Sequence, residues 1–271
     1  MHDRRPSDID AGLTARPAGD RHGTRTGLTL RVCALYPDLM NIYADRGNLL
    51  VLQRRCAWRG IGFELEASGL GERLQADAHD LYYLGGGQDR DQRLCAEDLL
   101  ARKRAALHAA ADRGAVIVGV CGGYQLLGHS YTLGSEEIAG VGLLDVHTVR
   151  EDGPRLIGNI AIELELGADA PPDTVLAGFE NHGGRTHLAP GQAALGRVLR
   201  GHGNDGHSGL EGAIAGNTLG TYLHGPLLPK NVWFADWLIA RALGLSMSAL
   251  AVLPDELEGE THAAALRAAG V

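Results

Sequence analysis

Gly114-Ala-Val-Ile-Val-Gly-Val-Cys121-Gly-Gly-Tyr-Gln-Leu-Leu-Gly128 is the stretch that decides the fold. An apolar, β-branched run breaks at Gly119-x-Cys121-x-Gly123 and passes directly into a helical pattern, the sequence form of a strand, a sharp turn and a helix. A thiol on such a turn stands clear of the sheet, and glycines on either side allow the backbone approach that side chains would block. A helix starting at Gly122 directs N–H groups toward Cys121. That arrangement predicts a thiol with its pKa drawn from about 8.5 into the roughly 3.5–7.5 range of reactive cysteines.

Working back from this junction, Leu28 to Tyr36 reads as a first strand and Asn48 to Trp58 as a helix with Leu49, Leu52 and Cys56 on one face. Gly62-Phe-Glu-Leu-Glu and Asp80-Leu-Tyr-Tyr-Leu84 read as second and third strands, the latter ending in Gly85-Gly-Gly87. A helix near Glu97 to Arg113 precedes the fourth strand at Ala115 to Val120. Strands alternating with helices at this spacing predict an α/β fold: a mostly parallel central sheet flanked by helices, with its ligand crevice at the carboxyl ends of the strands. Both the triple glycine and Cys121 belong at that edge.

Working forward, extended patterns dominate: Arg155 to Leu166, Val175 to Glu180, Gly196 to Leu199, Gly212 to Ala215 and Gly220 to His224. These predict an antiparallel or mixed extension in the second half. A helix follows from about Asn231 to Leu243. The expected organisation is a disordered leader over residues 1–27, one domain over 28–245 and a helical tail over 246–271. The leader has almost no large apolar side chains with which to offset ordering entropy.

The chain has 271 residues, 45% of them hydrophobic, and a formal net charge of −8, a balance that suits a globular core and argues against a dedicated nucleic-acid surface. Lys103 and Lys230 are its lysines, and neither lies in a phosphate-binding Gly-Lys-Ser/Thr loop. Cysteines at 33, 56, 95 and 121 form no C-x-x-C and no metal-like spacing with histidine, so a reduced, cytoplasmic compartment is expected. Cys33, Cys56 and Cys95 read as small buried apolar residues. Only Cys121 has a glycine context.

A nucleophilic thiol needs a base, and Leu219-Gly-Thr-Tyr-Leu-His224-Gly-Pro226 offers one at a strand end. His182, in Gly178-Phe-Glu-Asn-His-Gly-Gly-Arg-Thr186, competes with it. A carboxylate that orients the imidazole could be Asp45 or Glu180. The backbone N–H of Gly122, with one from Gly86 or Gly87, could form an oxyanion hole, although a triple glycine alone is only a turn.

Taken together, the Cys121 elbow, Gly85-Gly-Gly-Gln-Asp-Arg90, Phe179-Glu-Asn-His-Gly-Gly-Arg185 and Gly220-Thr-Tyr-Leu-His-Gly-Pro226 resemble class I (triad-type) glutamine amidotransferases of the CobB/CobQ-like branch. Within that branch, Leu35-Tyr-Pro-Asp-Leu-Met-Asn-Ile-Tyr-Ala-Asp-Arg-Gly-Asn48 and Tyr222 to Asn231 are similar to the GatD-type glutaminase subunits of lipid II isoglutaminyl synthases. The resemblance spans roughly residues 28–245. It implies that Cys121 attacks the side-chain amide of glutamine with His224 as base and then acid. It implies Asp45 in place of the glutamate of the usual His-x-Glu, which His224-Gly225-Pro226 lacks. Arg155 and Gln125 would contact glutamine. The implied partner is a Mur-ligase-like synthetase (MurT) in a heterodimer, carrying ATP and Mg²⁺ and amidating D-glutamate of lipid II, with no cofactor or metal in this chain. Amidation of a corrinoid or another carboxylate, and a non-catalytic scaffold of the same fold, are the alternatives.

Overall fold

In the computed structural model, residues 27–41, 45–133, 135–166 and 174–271 are described. The expected leader therefore lies, apart from Gly27, outside the described residues, as do residues 42–44 of the Leu35–Asn48 segment.

Six strands form the central sheet in the order β13-β14-β4-β3-β1-β2: β1 (Thr29–Leu35), β2 (Gly62–Ser68), β3 (Leu81–Leu84), β4 (Val116–Val120), β13 (Ala213–Ala215) and β14 (Thr218–Thr221). All neighbours run parallel except the β13–β14 pair at the edge. Every residue of β3, β4 and β14 is buried, which is why β3 and β4 read as continuous apolar runs rather than alternating ones. Helix α1 (Arg46–Trp58) covers the sheet with Leu49, Leu52 and Cys56, the face the sequence predicts. Its buried Arg55 binds Asp236 of helix α6 (Val232–Ala242) through Nε at 2.5 Å and Nη2 at 2.6 Å, and Arg59 adds a second guanidinium to the same carboxylate.

The helix expected near Glu97 begins earlier. Helix α2 (Asp89–Asp98) starts two residues past Gly87, with Asp89 and Asp91 in its first turn where the helix dipole favours acids, and runs through a π segment (Leu99–Lys103) into α3 (Arg104–Asp112). Lys103, the last residue of the π segment, is buried, its ammonium bound by Asp98 and by the carbonyls of Gly69 and Glu72.

The second half gives β13 and β14 to the central sheet and builds two further four-stranded sheets. One has the order β10-β7-β5-β6, from β5 (Ser130–Leu133), β6 (Glu136–Ala139), β7 (Val146–Arg150) and β10 (Gly184–Leu188). The other has the order β12-β11-β8-β9, from β8 (Leu156–Leu164), β9 (Val175–His182), β11 (Gly196–Arg200) and β12 (Leu210–Glu211). Their pairings are antiparallel except β5–β7. After the one-turn helix α5 (Leu227–Lys230) and α6, helix α7 (Glu256–Ala269) docks onto this second sheet, where Asn159 donates to the Ala268 carbonyl at 3.0 Å. Among the described residues no helix is long and apolar enough to cross a membrane.

Candidate active site

Helix α4 (Gly122–Leu127) leaves β4 through Cys121, whose backbone sits at φ +54°, ψ −109°. Non-glycine residues are rarely found there, and the strain of such a conformation is held by surrounding structure. Here the holding contacts are visible: the Cys121 N–H donates to the Thr221 carbonyl at 2.8 Å, and the Gly123 N–H donates to the Gly85 carbonyl at 3.0 Å. A Cβ on Gly123 would lie 2.1 Å from the Leu84 carbonyl oxygen, so the helix can reach β3 only without a side chain at that position. The elbow predicted from Gly-x-Cys-x-Gly is thus present, fixed to strands on both sides.

The expected low pKa is not. Burial, followed by the nearby Asp45 carboxylate, pushes the Cys121 thiol up to about 12, and the Gly122 N–H and Arg155 charge oppose this without winning. The reason is dimensional. A helix of six residues carries a small macrodipole, whereas desolvation of a fully enclosed thiolate is a large cost.

His224 follows β14, which pairs in parallel with β4 in the register Thr221↔Val120. Cys121 and His224 therefore leave the carboxyl ends of neighbouring strands. The backbone of His224 exchanges two hydrogen bonds with Phe179 of β9, at 2.9 and 3.0 Å, and its ring meets the Phe179 ring edge-on at 5.9 Å. Gly225, at φ +78°, supplies the left-handed turn that follows, a conformation that suits glycine. Burial, then the neighbouring His182 and Lys230, hold the imidazole down at about 4. At neutral pH the two groups are a neutral thiol and a neutral imidazole.

His182, the competing histidine, lines a cavity of about 340 Å³ together with Cys121, Gly122, Gly87, Gln125 and Arg155. Its Nδ1 lies 2.8 Å from the Gly184 carbonyl, its ring stacks on Tyr222 at 3.6 Å, and its Nε2 is 3.9 Å from Glu180. Glu180 is fully buried and accepts from His202 Nδ1 and from the N–H groups of His202 and Gly203; burial pushes its carboxyl up, but His182, His202 and these N–H groups prevail and hold it below the usual range. Glu180 is accordingly a carboxylate of the His182–His202 cluster.

Asp45, the proposed orienting carboxylate, is buried beside the glycine turn that ends β3. One carboxylate oxygen accepts from Tyr83 Oη at 2.6 Å and the other from the Gly86 N–H at 2.9 Å. Burial nevertheless raises its pKa to about 6. This contact also corrects the oxyanion reading: the Gly86 N–H is spent on Asp45 and is not turned to the cavity. Gly87 and Gly122 do line it, and a Cβ on Gly122 would lie 3.0 Å from the Gly87 nitrogen.

Arg155, immediately before β8, lines the cavity and donates to the Asn181 side chain at 2.7 Å and the Asn181 carbonyl at 2.6 Å. Gln125 lies in a buried chain in which Gln92 donates to its oxygen at 2.7 Å and its nitrogen donates to Tyr222 Oη at 3.0 Å. Gln92, Tyr222, Tyr83, Asp89 and Arg150 are site residues that sequence reasoning missed. Gln92 carried a signal, since the helix following Gly85-Gly-Gly87 must return a side chain to the strand end. Tyr83 did not, because a tyrosine in a buried strand reads as core.

The comparisons agree with this geometry. Residues 31–232 match the CobB/CobQ-like glutamine amidotransferase domain. The chain is 36% identical over 226 residues to the lipid II isoglutaminyl synthase (glutamine-hydrolyzing) subunit GatD of Staphylococcus aureus, covering 83% of this chain and 88% of that protein. It is 36% identical over 215 residues to the GatD subunit of Streptococcus pneumoniae, covering 79% and 80%. A probable cobyric acid synthase of Methanopyrus kandleri is 39% identical, over 43% of this chain and 24% of its own length. Among solved structures, PurLQS of Thermotoga maritima superposes with a TM-score of 0.54 at 20% identity, covering 81% of this chain and 97% of that one, a likeness of fold. A chain matched from β1 to α6, with its cysteine elbow at the carboxyl edge of a parallel sheet, belongs to the CobB/CobQ-like glutamine amidotransferase family.

Proposed function

We propose that this chain is the glutamine-hydrolysing subunit of a lipid II isoglutaminyl synthase, releasing ammonia for a Mur-ligase-like synthetase (MurT) that amidates the D-glutamate α-carboxyl of lipid II to D-isoglutamine. The reading is supported by relatives of that name aligned over most of both chains, whereas cobyric acid synthases match over about half of this chain and about a quarter of their own length. ATP and Mg²⁺ belong to the partner in this scheme.

The observation that carries the chemistry is that Cys121 and His224 leave neighbouring parallel strands at the same sheet edge. Cys121 Sγ attacks the side-chain amide carbon of glutamine while its proton passes to the His224 imidazole. Gly122 and Gly87 N–H groups stabilise the oxyanion, and Arg155, a planar fork of donors, takes the substrate carboxylate. The tetrahedral intermediate collapses as His224 returns the proton to the leaving nitrogen, giving ammonia and a thioester. Water, deprotonated by His224, then releases glutamate and the free thiol. Asp45 acts on this site through its charge and through the Gly86 loop it holds.

A second reading rests on one specific observation: His182, backed by Glu180, lines the same cavity as Cys121. Glutaminase assays of Cys121→Ala, His224→Ala and His182→Ala with the co-expressed synthetase decide between them. The proposal expects at least a thousandfold loss for Cys121→Ala and His224→Ala and a smaller loss for His182→Ala. Wild-type rates in His224→Ala would overturn it. Ammonia incorporation into a corrinoid instead of lipid II would overturn the acceptor.

A further inference from the structure

The side chains of His129, Asp145 and His147 converge where the parallel strands β5 and β7 begin. Their ligating atoms all lie within 4.8 Å of one another. His129 Nε2 is 3.0 Å from Asp145 Oδ1, and the two imidazoles stack with centroids 5.1 Å apart. From these contacts we propose that His129, Asp145 and His147 form a binding site for a borderline transition-metal cation, with Zn²⁺ the best fit.

Two imidazoles and one carboxylate are a donor set suited to Zn²⁺, leaving a fourth, tetrahedral position for water. The scaffold is already organised. The His129 N–H donates to the Val146 carbonyl at 2.9 Å, which locks the two strand entries together. The Asp145 N–H is held by Gln192 at 2.9 Å. Ser130 Oγ lies 3.3 Å from His147 Nδ1, a contact that helps fix the ring orientation. His187 stands directly opposite His147 in the antiparallel β7–β10 register and brings a third imidazole to the same face. The three ligands are exposed, so small side-chain rotations can draw them onto one ion at little cost.

The site is separate from the cavity but tied to it. His129 lies two residues past α4, and β5 and β7 carry Tyr131 and Arg150 into the cavity wall. A cation there would pin the far end of the elbow helix to the sheet beside it. The inference does not depend on the reaction assigned above.

The test is titration of the full, untagged chain with ZnCl₂ by calorimetry, and with Co²⁺ by visible absorption. One equivalent should bind, with tetrahedral Co²⁺ bands, and His129→Ala, Asp145→Ala and His147→Ala should each weaken it at least tenfold. Zn²⁺ should also protect His129 and His147 of the wild-type chain from diethylpyrocarbonate, read by peptide mass, a measurement that needs no variant to fold. Absence of one-equivalent binding, binding unchanged in the variants, or lack of protection would each overturn the site.

Discussion

The Cys121 N–H donates to the Thr221 carbonyl at 2.8 Å, so β4 and β14 remain joined up to the residue at which the proposed nucleophile turns away and three residues before the proposed base. This bond and the Gly123–Gly85 bond hold Cys121 at φ +54°. The elbow therefore stores backbone strain at the proposed nucleophile, and the strain can be measured. Cys121→Gly removes both the thiol and the Cβ that makes this conformation unfavourable. It should be inactive yet more stable than Cys121→Ala by about 1 kcal/mol, a few degrees in melting temperature by calorimetry. Equal melting temperatures would mean the conformation is not strained.

The thiol itself should be unreactive at rest. With its pKa pushed up to about 12, the thiolate is scarce at neutral pH and increases about tenfold per pH unit. Alkylation of Cys121 by iodoacetamide, followed by mass spectrometry, should accelerate with that slope from pH 6 to 9. A plateau near pH 7 would instead reveal a preformed thiolate. In the proposed mechanism the attacking form is generated only when His224 accepts the proton, so a glutamine-like electrophile should label Cys121 much faster than iodoacetamide does.

The fold was legible in the sequence where the physics is local. Gly-x-Cys-x-Gly after a β-branched run has few other solutions, and the inner strands β3 and β4, buried on both faces, announce themselves as apolar runs. The start of α2 at Asp89 was not legible, because Asp89-Arg-Asp-Gln-Arg93 has little apolar content and its helix is stabilised by packing of Gln92, Cys95 and Ala96. Strands β5, β6, β7 and β10 were missed for a related reason: they are short, mixed in polarity and defined by pairing with distant strands. Gly86 illustrates the limit for the site. Sequence places it beside Cys121, but only the long-range contact with Asp45 determines that its N–H is already used.

His224 should make the protein sensitive to acid. Its imidazole, buried and held at about 4, stays neutral in the folded chain while the unfolded chain takes up a proton near 6.5. The unfolded state thus binds more protons between those values, so stability from this residue is complete above about pH 6.5 and is lost as pH falls toward 4, by up to about 3 kcal/mol. Asp45 and Glu211, raised to about 6 and about 7, act in the opposite direction, so the comparison must isolate His224. Urea unfolding at pH 7.5 and 4.5 should give a smaller acid loss for His224→Asn than for wild type. Parallel losses would place the sensitivity elsewhere.

Arg155 reaches the cavity wall through two short bonds to Asn181, one to its side chain and one to its carbonyl. Arg155→Ala should raise KM for glutamine at least tenfold, with a smaller fall in kcat, because a charge that binds the substrate carboxylate contributes to ground and transition states alike. Arg155→Lys should recover little, since a point charge cannot reproduce the paired geometry. An unchanged KM in both variants would remove Arg155 from the substrate site.

Tyr83 tests what Asp45 does. Its hydroxyl donates at 2.6 Å to Asp45, while the other carboxylate oxygen holds the Gly86 N–H, so this buried tyrosine connects the core of β3 to the loop that supplies Gly87. Tyr83→Phe keeps the ring and removes one donor to the carboxylate, which raises an Asp45 pKa already at about 6 toward neutrality. The expected cost is about 1–3 kcal/mol in stability, the penalty for leaving a buried acceptor under-satisfied. In the glutaminase assay the alkaline shift of Asp45 should appear as a displaced acid limb of the kcat/KM profile, with the group titrating at higher pH than in wild type. Asp45→Asn, which cannot titrate, should abolish that limb while retaining an acceptor for Tyr83. If both variants keep the wild-type pH profile and lose only stability, Asp45 serves to hold the Gly86 loop and its charge has no part in the reaction.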